Sequence, residues 1–343
     1  MKSSLVALAL FALTCVAAYA EEPDYLAGLS PYQPGQSVQG TIRVWGNPYI
    51  PELVHAWQEG FRKHHPGIEF QTTLKGTEAA MAGLYGHIAD VVLVGREAYQ
   101  AELAAFEERF GYAPTGIKIT SGSYATPHKT FALMVYVHKD NPLAKLTLTQ
   151  LDALYSSERR RGAKGPIKTW GELGVEGEWS THPVHVYGYS FDTGMARFFR
   201  LTVLKDSYRW NPEMKEFDNG RDAKGEVINA GTYITHAVAS DPNGIGVSNV
   251  MFENSNVKSV ALAENDSGPY VAPSKYAAFR GEYPLTRYSM AFINRPPGER
   301  VDPKVAEFMR YILSRDGMQA IVRDQAFLPL NAGAIRLERE KLE

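Results

Sequence analysis

Residues 41–61 read Thr-Ile-Arg-Val-Trp-Gly-Asn-Pro-Tyr-Ile-Pro-Glu-Leu-Val-His-Ala-Trp-Gln-Glu-Gly-Phe. The hydrophobic period changes within this stretch. Residues 41–45 carry β-branched and aromatic side chains and predict a strand. Gly46-Asn47-Pro48-Tyr49 predicts a turn. Pro51 then opens a helix, because Leu53, Val54, Trp57 and Phe61 recur on one helical face until Pro66-Gly67 ends it. The unit repeats. Residues 68–74 alternate like a strand, 75–77 turn, and 78–85 form a small-residue helix bearing Ala79, Ala80 and Ala82. Residues 90–94 end in four consecutive apolar residues, the pattern of a strand buried on both faces. Gly95-Arg96-Glu97 stops that strand, and 98–110 is a further helix. Strand, turn and helix in such alternation predict an open α/β sheet.

The pattern continues downstream with other spacing. Residues 131–137 form a buried strand and a crossing into a second unit. Residues 149–155 are a short helix, and 169–183 a loop bearing Gly and Trp. A strand over 184–187, a turn over 188–194 and a helix over 195–204 follow, with another strand at 245–248. Residues 285–293 lead back to the first unit. Residues 305–314 are helical, with Val305, Phe308, Met309 and Ile312 as the inner stripe.

The chain has 343 residues, enough for two domains. A hydrophobic fraction of 44% and a charged fraction of 22% are those of a globular protein with a sizeable core. A formal net charge of -2 argues against a nucleic-acid partner. Lys2, the apolar run 5–13 and Ala18-Tyr19-Ala20 before Glu21-Glu22 have the pattern of a secretory signal, cleaved after Ala20. No later segment is long and apolar enough to span a bilayer. The single cysteine, Cys15, falls within the leader, and Ala12-Leu13-Thr14 before it lack the Leu of a lipid-attachment site. The mature chain is therefore expected to hold neither disulfide nor cysteine metal site. Residues 21–39, rich in Pro, Gly, Ser and Tyr, read as an irregular lead-in or tether.

Three turns share one design: 46–49, Gly76-Thr77, and 190–195. Each follows a strand, carries Gly with hydroxyl or amide side chains, and opens a helix. A helix N-terminus offers unpaired N–H groups and partial positive charge. Such turns facing one cleft would hold a dehydrated anion by hydrogen bonds, beyond the carboxyl ends of the strands.

Taken in order, several stretches resemble the PstS-like branch of periplasmic solute-binding proteins. They are Gly76-Thr77 with Ala89-Asp90; Gly95-Arg96-Glu97 with Glu102 and Phe106; 137–142 with Leu146-Thr147; Thr169-Trp170-Gly171-Glu172-Leu173-Gly174; Val186-Tyr187-Gly188; and Tyr311-Ile312-Leu313-Ser314 with Leu328-Pro329-Leu330. The resemblance spans roughly residues 40–335. It implies a two-lobed, type II-like α/β fold with open mixed sheets and a ligand cleft between the lobes. It also implies delivery of a small, phosphate-like anion to the membrane subunits of an ABC transporter, without cofactor or metal, by a monomer. On this reading residues 40–129 and 283–343 form lobe 1, and 130–282 form lobe 2. Asn47, Pro48, Tyr49, Gly76, Thr77, Arg96, Tyr189, Ser190, Thr193, Gly194 and Met195 are the implied ligand-binding residues.

The second-lobe turn departs from the family pattern. Tyr189 stands where the family has Arg, and Thr193-Gly194-Met195 replaces Ser-Gly-Thr. No acidic acceptor for monoprotonated phosphate is apparent beside Arg96. Arg197 is expected to face solvent. Tyr189, Phe191 and Met195 are expected to make the site more apolar. Two other readings follow from these departures: a cleft turned to another ligand, or a surface or scaffold role. A hydrolase would need Ser190, Asp192 and His185 to converge, and the second Gly of a nucleophile elbow is missing. The nine histidines match no zinc motif and read as exposed or helix-capping residues, and Arg159-Arg160-Arg161 as a solvated loop.

Overall fold

The computed structural model describes residues 24–127 and 129–343. The leader, its cleavage point and Cys15 lie outside the described residues. The first half of the chain runs β1 (Gly40–Gly46), α1 (Pro51–Arg62), β2 (Ile68–Thr73), α2 (Thr77–Tyr85), β3 (Val91–Val94), α3 (Gln100–Phe110) and β4 (Thr115–Thr120). The chain then crosses and builds β5 (Met134–His138), β6 (Lys145–Thr147), α4 (Leu148–Tyr155), β7 (His185–Tyr189), α5 (Gly194–Thr202), β8 (Lys215–Phe217), β9 (Gly220–Arg221) and β10 (Val227–Ile228). There follow α6 (Ala230–Ala239), β11 (Gly244–Ser248), β12 (Val257–Ser259), β13 (Ala261–Ala263) and α7 (Lys275–Arg280). It returns through β14 (Ser289–Ile293) to α8 (Pro303–Ile312), α9 (Arg315–Asp324) and α10 (Ala332–Glu340).

Two five-stranded sheets organise these elements, one in order β2-β1-β3-β14-β4, the other β12-β5-β11-β7-β8. Each is mixed. In the first, β14 runs antiparallel to β3 and β4; in the second, β5 runs antiparallel to β11 and β12. The apolar run of β3 has its cause here. Val91 and Leu93 enter one core with α1 and α8, while Val92 and Val94 enter another with α2 and Phe106 of α3. Every β3 side chain is buried, as a strand covered on both faces requires. In the second sheet Val135 and Val137 face one core, and Met134 and Tyr136 the other.

The α1 stripe of Leu53, Val54, Trp57 and Phe61 is buried, as is the α8 stripe of Val305, Phe308, Met309 and Ile312. The lead-in is irregular from 24 to 39 but is no tether. Leu26, Leu29, Tyr32 and Val38 belong to the first core. The Tyr32 hydroxyl donates to Glu307 Oε2 at 2.6 Å and lies 2.8 Å from His65 Nε2. His65 is thus a buried core residue, not an exposed one. Burial of apolar surface against this segment outweighs its freedom as a tether.

Two segments cross between the sheets and are bonded to each other: the Leu133 amide donates to the Leu285 carbonyl at 3.1 Å. Gly122 sits where they meet, with φ +63°, and a Cβ there would lie 2.3 Å from the Thr130 carbonyl oxygen and 2.6 Å from that of Arg287. Only glycine fits such an approach.

The basic run 159–161 is not simply solvated. Arg161 is folded inward, donating to the Thr202 and Val203 carbonyls at 2.5 Å each and thereby satisfying the C-terminal end of α5.

Candidate functional site

The carboxyl ends of β1 and β3 and the start of β14 share one edge of the first sheet, as the registers Gly46 with Leu93 and Met290 with Val94 require. The carboxyl ends of β7 and β11 and the start of β5 share one edge of the second. A cavity of about 250 Å³ lies between these edges. From the first sheet and the crossing segments come Asn47, Tyr49, Ile50, Gly95, Arg96, Lys129, Thr130, Arg287 and Ser289; from the second-lobe side come Phe131, Gly194, Met195 and Asn229. A second cavity, of about 510 Å³, lies on the far side of Phe327. It includes no residue of the three turns, so the smaller cavity is the candidate site.

The walls differ in chemistry. Thr130 Oγ1 donates to the Gly95 carbonyl at 2.7 Å and lies 3.4 Å from Ser289 Oγ. Asn47 Oδ1 accepts from the Tyr49 amide at 2.8 Å, which fixes the first turn. Arg96 is gripped by Glu102 at 2.9 and 2.7 Å and reaches Glu78 at 3.0 Å. Burial pulls the Arg96 guanidinium down, but Glu102 and Glu78 outweigh it and leave its pKa above the ordinary value. Arg287 Nη2 donates to Glu97 Oε2 at 3.1 Å, so an acidic residue does stand beside the site, one position after Arg96. On the opposite wall Thr193 Oγ1 accepts from the Ala196 amide at 3.1 Å and caps α5. The next two residues, Gly194 and Met195, open the helix along the cavity, and first-turn amides have no intrahelical acceptor.

Of the residues read from the sequence, Asn47, Tyr49, Arg96, Gly194 and Met195 meet at this cavity. Pro48, Gly76, Thr77, Ser190 and Thr193 are not among its lining residues. Thr77 is buried in the first turn of α2, and the Ser190 amide donates to the Phe217 carbonyl at 2.9 Å. Tyr189 turns into the second-lobe core, packed with Tyr155, Ala196, Phe199 and Trp210, because β7 extends through it and pairs it with Phe217. Burial holds its phenol above the ordinary pKa. Phe191 packs toward Tyr208 and Trp210, so of the three expected apolar contributors only Met195 reaches the cavity. Arg197 does not face solvent. It is buried, its Nη2 donates to the Ala98 carbonyl across the cleft, and its guanidinium lies 4.4 Å from the Tyr99 ring centroid.

Arg287, Lys129, Thr130, Ser289 and Asn229 were not singled out by sequence reasoning. Arg287 and Ser289 lie in the stretch 285–293, legible as a return strand but with no turn or helix signal to mark it as a site. The hydrolase constellation does not form: His185 opens β7 and Ser190 follows its last residue, about 16 Å away at ~3.3 Å per residue. His185 instead pairs with Asp241 at 2.7 Å.

Residues 32–316 match the model of the PBP superfamily domain. The phosphate-binding protein PstS of Pseudomonas aeruginosa PAO1 is 32% identical over 326 residues, covering 94% of each chain. Among solved structures, PstS from Borrelia burgdorferi aligns with a TM-score of 0.54 at 13% identity, covering 86% of this chain and 100% of its own. An ABC-type phosphate transport receptor from Vibrio cholerae aligns with a TM-score of 0.50 at 15% identity, covering 84% and 100%. At such identities these two structures speak to the fold.

Proposed function

The chain belongs to the PBP superfamily and to the family of the phosphate-binding protein PstS, and from that premise we propose that it captures phosphate in the cavity between its two sheets. The observation that carries this reading is the meeting of hydrogen-bond donors from both lobes at one cavity, at the carboxyl edges of the sheets. Asn47, Ser289 and the guanidinium groups lie on one wall, the opening turn of α5 on the other. An anion held between them would be bonded by both lobes at once, which favours hinge closure. No reaction is assigned to the site. The relatives are binding proteins, and Ser190 and His185 are not brought together.

The reading extends to the protein's surroundings. It is exported, with cleavage after Ala20, works in the periplasm as a monomer, and hands phosphate to ABC-transporter membrane subunits. Among the described residues no helix is long and apolar enough to cross a membrane. The lobes are assigned as 40–129 with 283–343, and 130–282. Asn47, Tyr49, Arg96, Gly194 and Met195 are retained as ligand contacts. Equilibrium dialysis of radiolabelled phosphate against the mature, ligand-stripped protein tests the assignment, with sulfate as competitor. Retention of one phosphate per chain supports it. No retention at millimolar phosphate would leave the fold standing and turn the cleft over to another ligand or to a scaffold role.

A further inference from the structure

On the reading of the cleft as an oxyanion site, we propose that Arg287, carried by the returning crossing segment, supplies the cation that holds the ligand, the part left unfilled in the second-lobe turn where Tyr189 is folded into the core.

The case begins with donor accounting. A guanidinium carries five N–H donors and cannot shed its charge. Burying one with unused donors is costly. The Arg287 side chain is 3% exposed and lines the cavity. Its Nη2 makes a single contact with Glu97, at 3.1 Å. Its Nη1 lies 3.1 Å from Met195 Sδ, and a thioether is a weak acceptor. Its Nε has no hydrogen-bond partner among the described residues. The fork is thus desolvated, charged and largely uncommitted at the wall of a cavity.

The other cations nearby are placed differently. Arg96 Nε is likewise unpartnered among the described residues, but both terminal nitrogens of Arg96 are bound by Glu102 and one also reaches Glu78, so two carboxylates offset its charge where Arg287 has one. Lys129 Nζ donates to the Tyr49 carbonyl in an exposed setting, so its charge and remaining donors are open to solvent rather than buried. Arg197 is turned to Ala98 and Tyr99 and does not line the cavity.

Arg287 also occupies a junction. It meets Glu97 of the first lobe, while its guanidinium lies 5.1 Å from the Phe198 ring centroid and beside Met195, both on α5 of the second. An oxyanion on its free donors would therefore lie next to the opening amides of α5. Side-chain charge from the crossing segment and backbone donors from the second lobe then form one composite site. This arrangement needs no arginine in the second-lobe turn.

Calorimetric titration of phosphate into wild type, Arg287→Gln and Arg287→Lys tests the proposal, with thermal unfolding of each variant recorded. Wild type is expected to bind. Arg287→Gln is expected to bind about 30-fold more weakly or worse, the loss of charge-assisted hydrogen bonds. Arg287→Lys should fall between, since it keeps the charge and loses the fork. A second readout does not depend on how the Gln variant folds: in wild type, phosphate should shift the side-chain Nε–H resonance of Arg287, assigned by its disappearance in Arg287→Lys. Wild-type binding with Arg287→Gln within about threefold of it, or an unmoved resonance at saturation, overturns the role of Arg287 and leaves the cleft reading intact. Absence of binding by wild type overturns both.

Discussion

The two walls of the interlobe cavity are built by different means. The first-lobe wall and the crossing segments present side chains: Arg96, Lys129, Thr130, Arg287 and Ser289. The second-lobe wall presents a helix opening at Gly194 and Met195, with Asn229 and Phe131 around it. Among the described residues no charged side chain of the second lobe lines the cavity, and Arg197 is spent on a contact with the first lobe. The contrast separates two tasks. Charged side chains line the first-lobe wall and the crossing segments, while the second-lobe wall offers the opening turn of α5, with its helix-end potential, and the Asn229 amide.

Breaking the junction between the walls should have the largest effect. At Gly122 an alanine needs a left-handed backbone and a Cβ within 2.3 Å of the Thr130 carbonyl oxygen. Gly122→Ala is expected to lower unfolding free energy by about 3 kcal/mol or more, measured by urea titration. Next comes the foundation of the first-lobe wall. Tyr32 donates to Glu307, whose carboxylate is buried and otherwise held by Arg310 at 2.8 Å and the Gly35 amide at 3.2 Å. Tyr32→Phe is expected to cost about 1.5–3 kcal/mol, the loss of a hydrogen bond to a charged group.

The second-lobe wall offers a smaller but sharper test. Because Thr193 Oγ1 is used as the α5 cap, Thr193→Ala should cost about 1 kcal/mol of stability, with phosphate affinity changed by no more than about threefold. A loss of affinity far beyond that would make Thr193 a ligand contact and erase the contrast between the walls.

The smallest effect concerns pH. Burial holds the His65 ring below its ordinary pKa, opposed in part by Glu307. The folded protein therefore binds this proton less readily than the unfolded chain. The stability from neutral His65 is fully present above the unfolded value, ~6.5, and is lost as pH falls below it toward the folded value. Urea midpoints recorded from about pH 7.5 to 5 should decline in wild type and decline less in His65→Gln.

What the sequence disclosed and what it concealed follow the same division. Periodicity located β3, α1 and α8, because burial on one face or two leaves a local signature in Val91 to Val94 and in the Trp57 and Phe308 stripes. The turn chemistry picks out Asn47 and Gly194-Met195, which line the cavity, since helix openings are local too. Helix α6 went unread: its Thr and Ile residues favour strands, yet Ala230 and Ile234 meet the second-lobe core at helical spacing. Arg287 was invisible because its meaning comes from Glu97, 190 positions away in sequence, and from α5. Tyr189 was misplaced because β7 runs two residues beyond the point where its alternation seemed to end, and strand pairing with Phe217 fixes the side chain in the core. Nothing local to Arg197 announces that the other lobe covers it, so its helix position alone predicts exposure.

The most direct test of the account is calorimetric titration of phosphate into the mature wild-type protein after ligand has been stripped by partial unfolding and refolding. The two-walled cavity predicts saturable binding of one phosphate per chain, accompanied by thermal stabilisation. No heat and no rise in unfolding temperature at millimolar phosphate would contradict it.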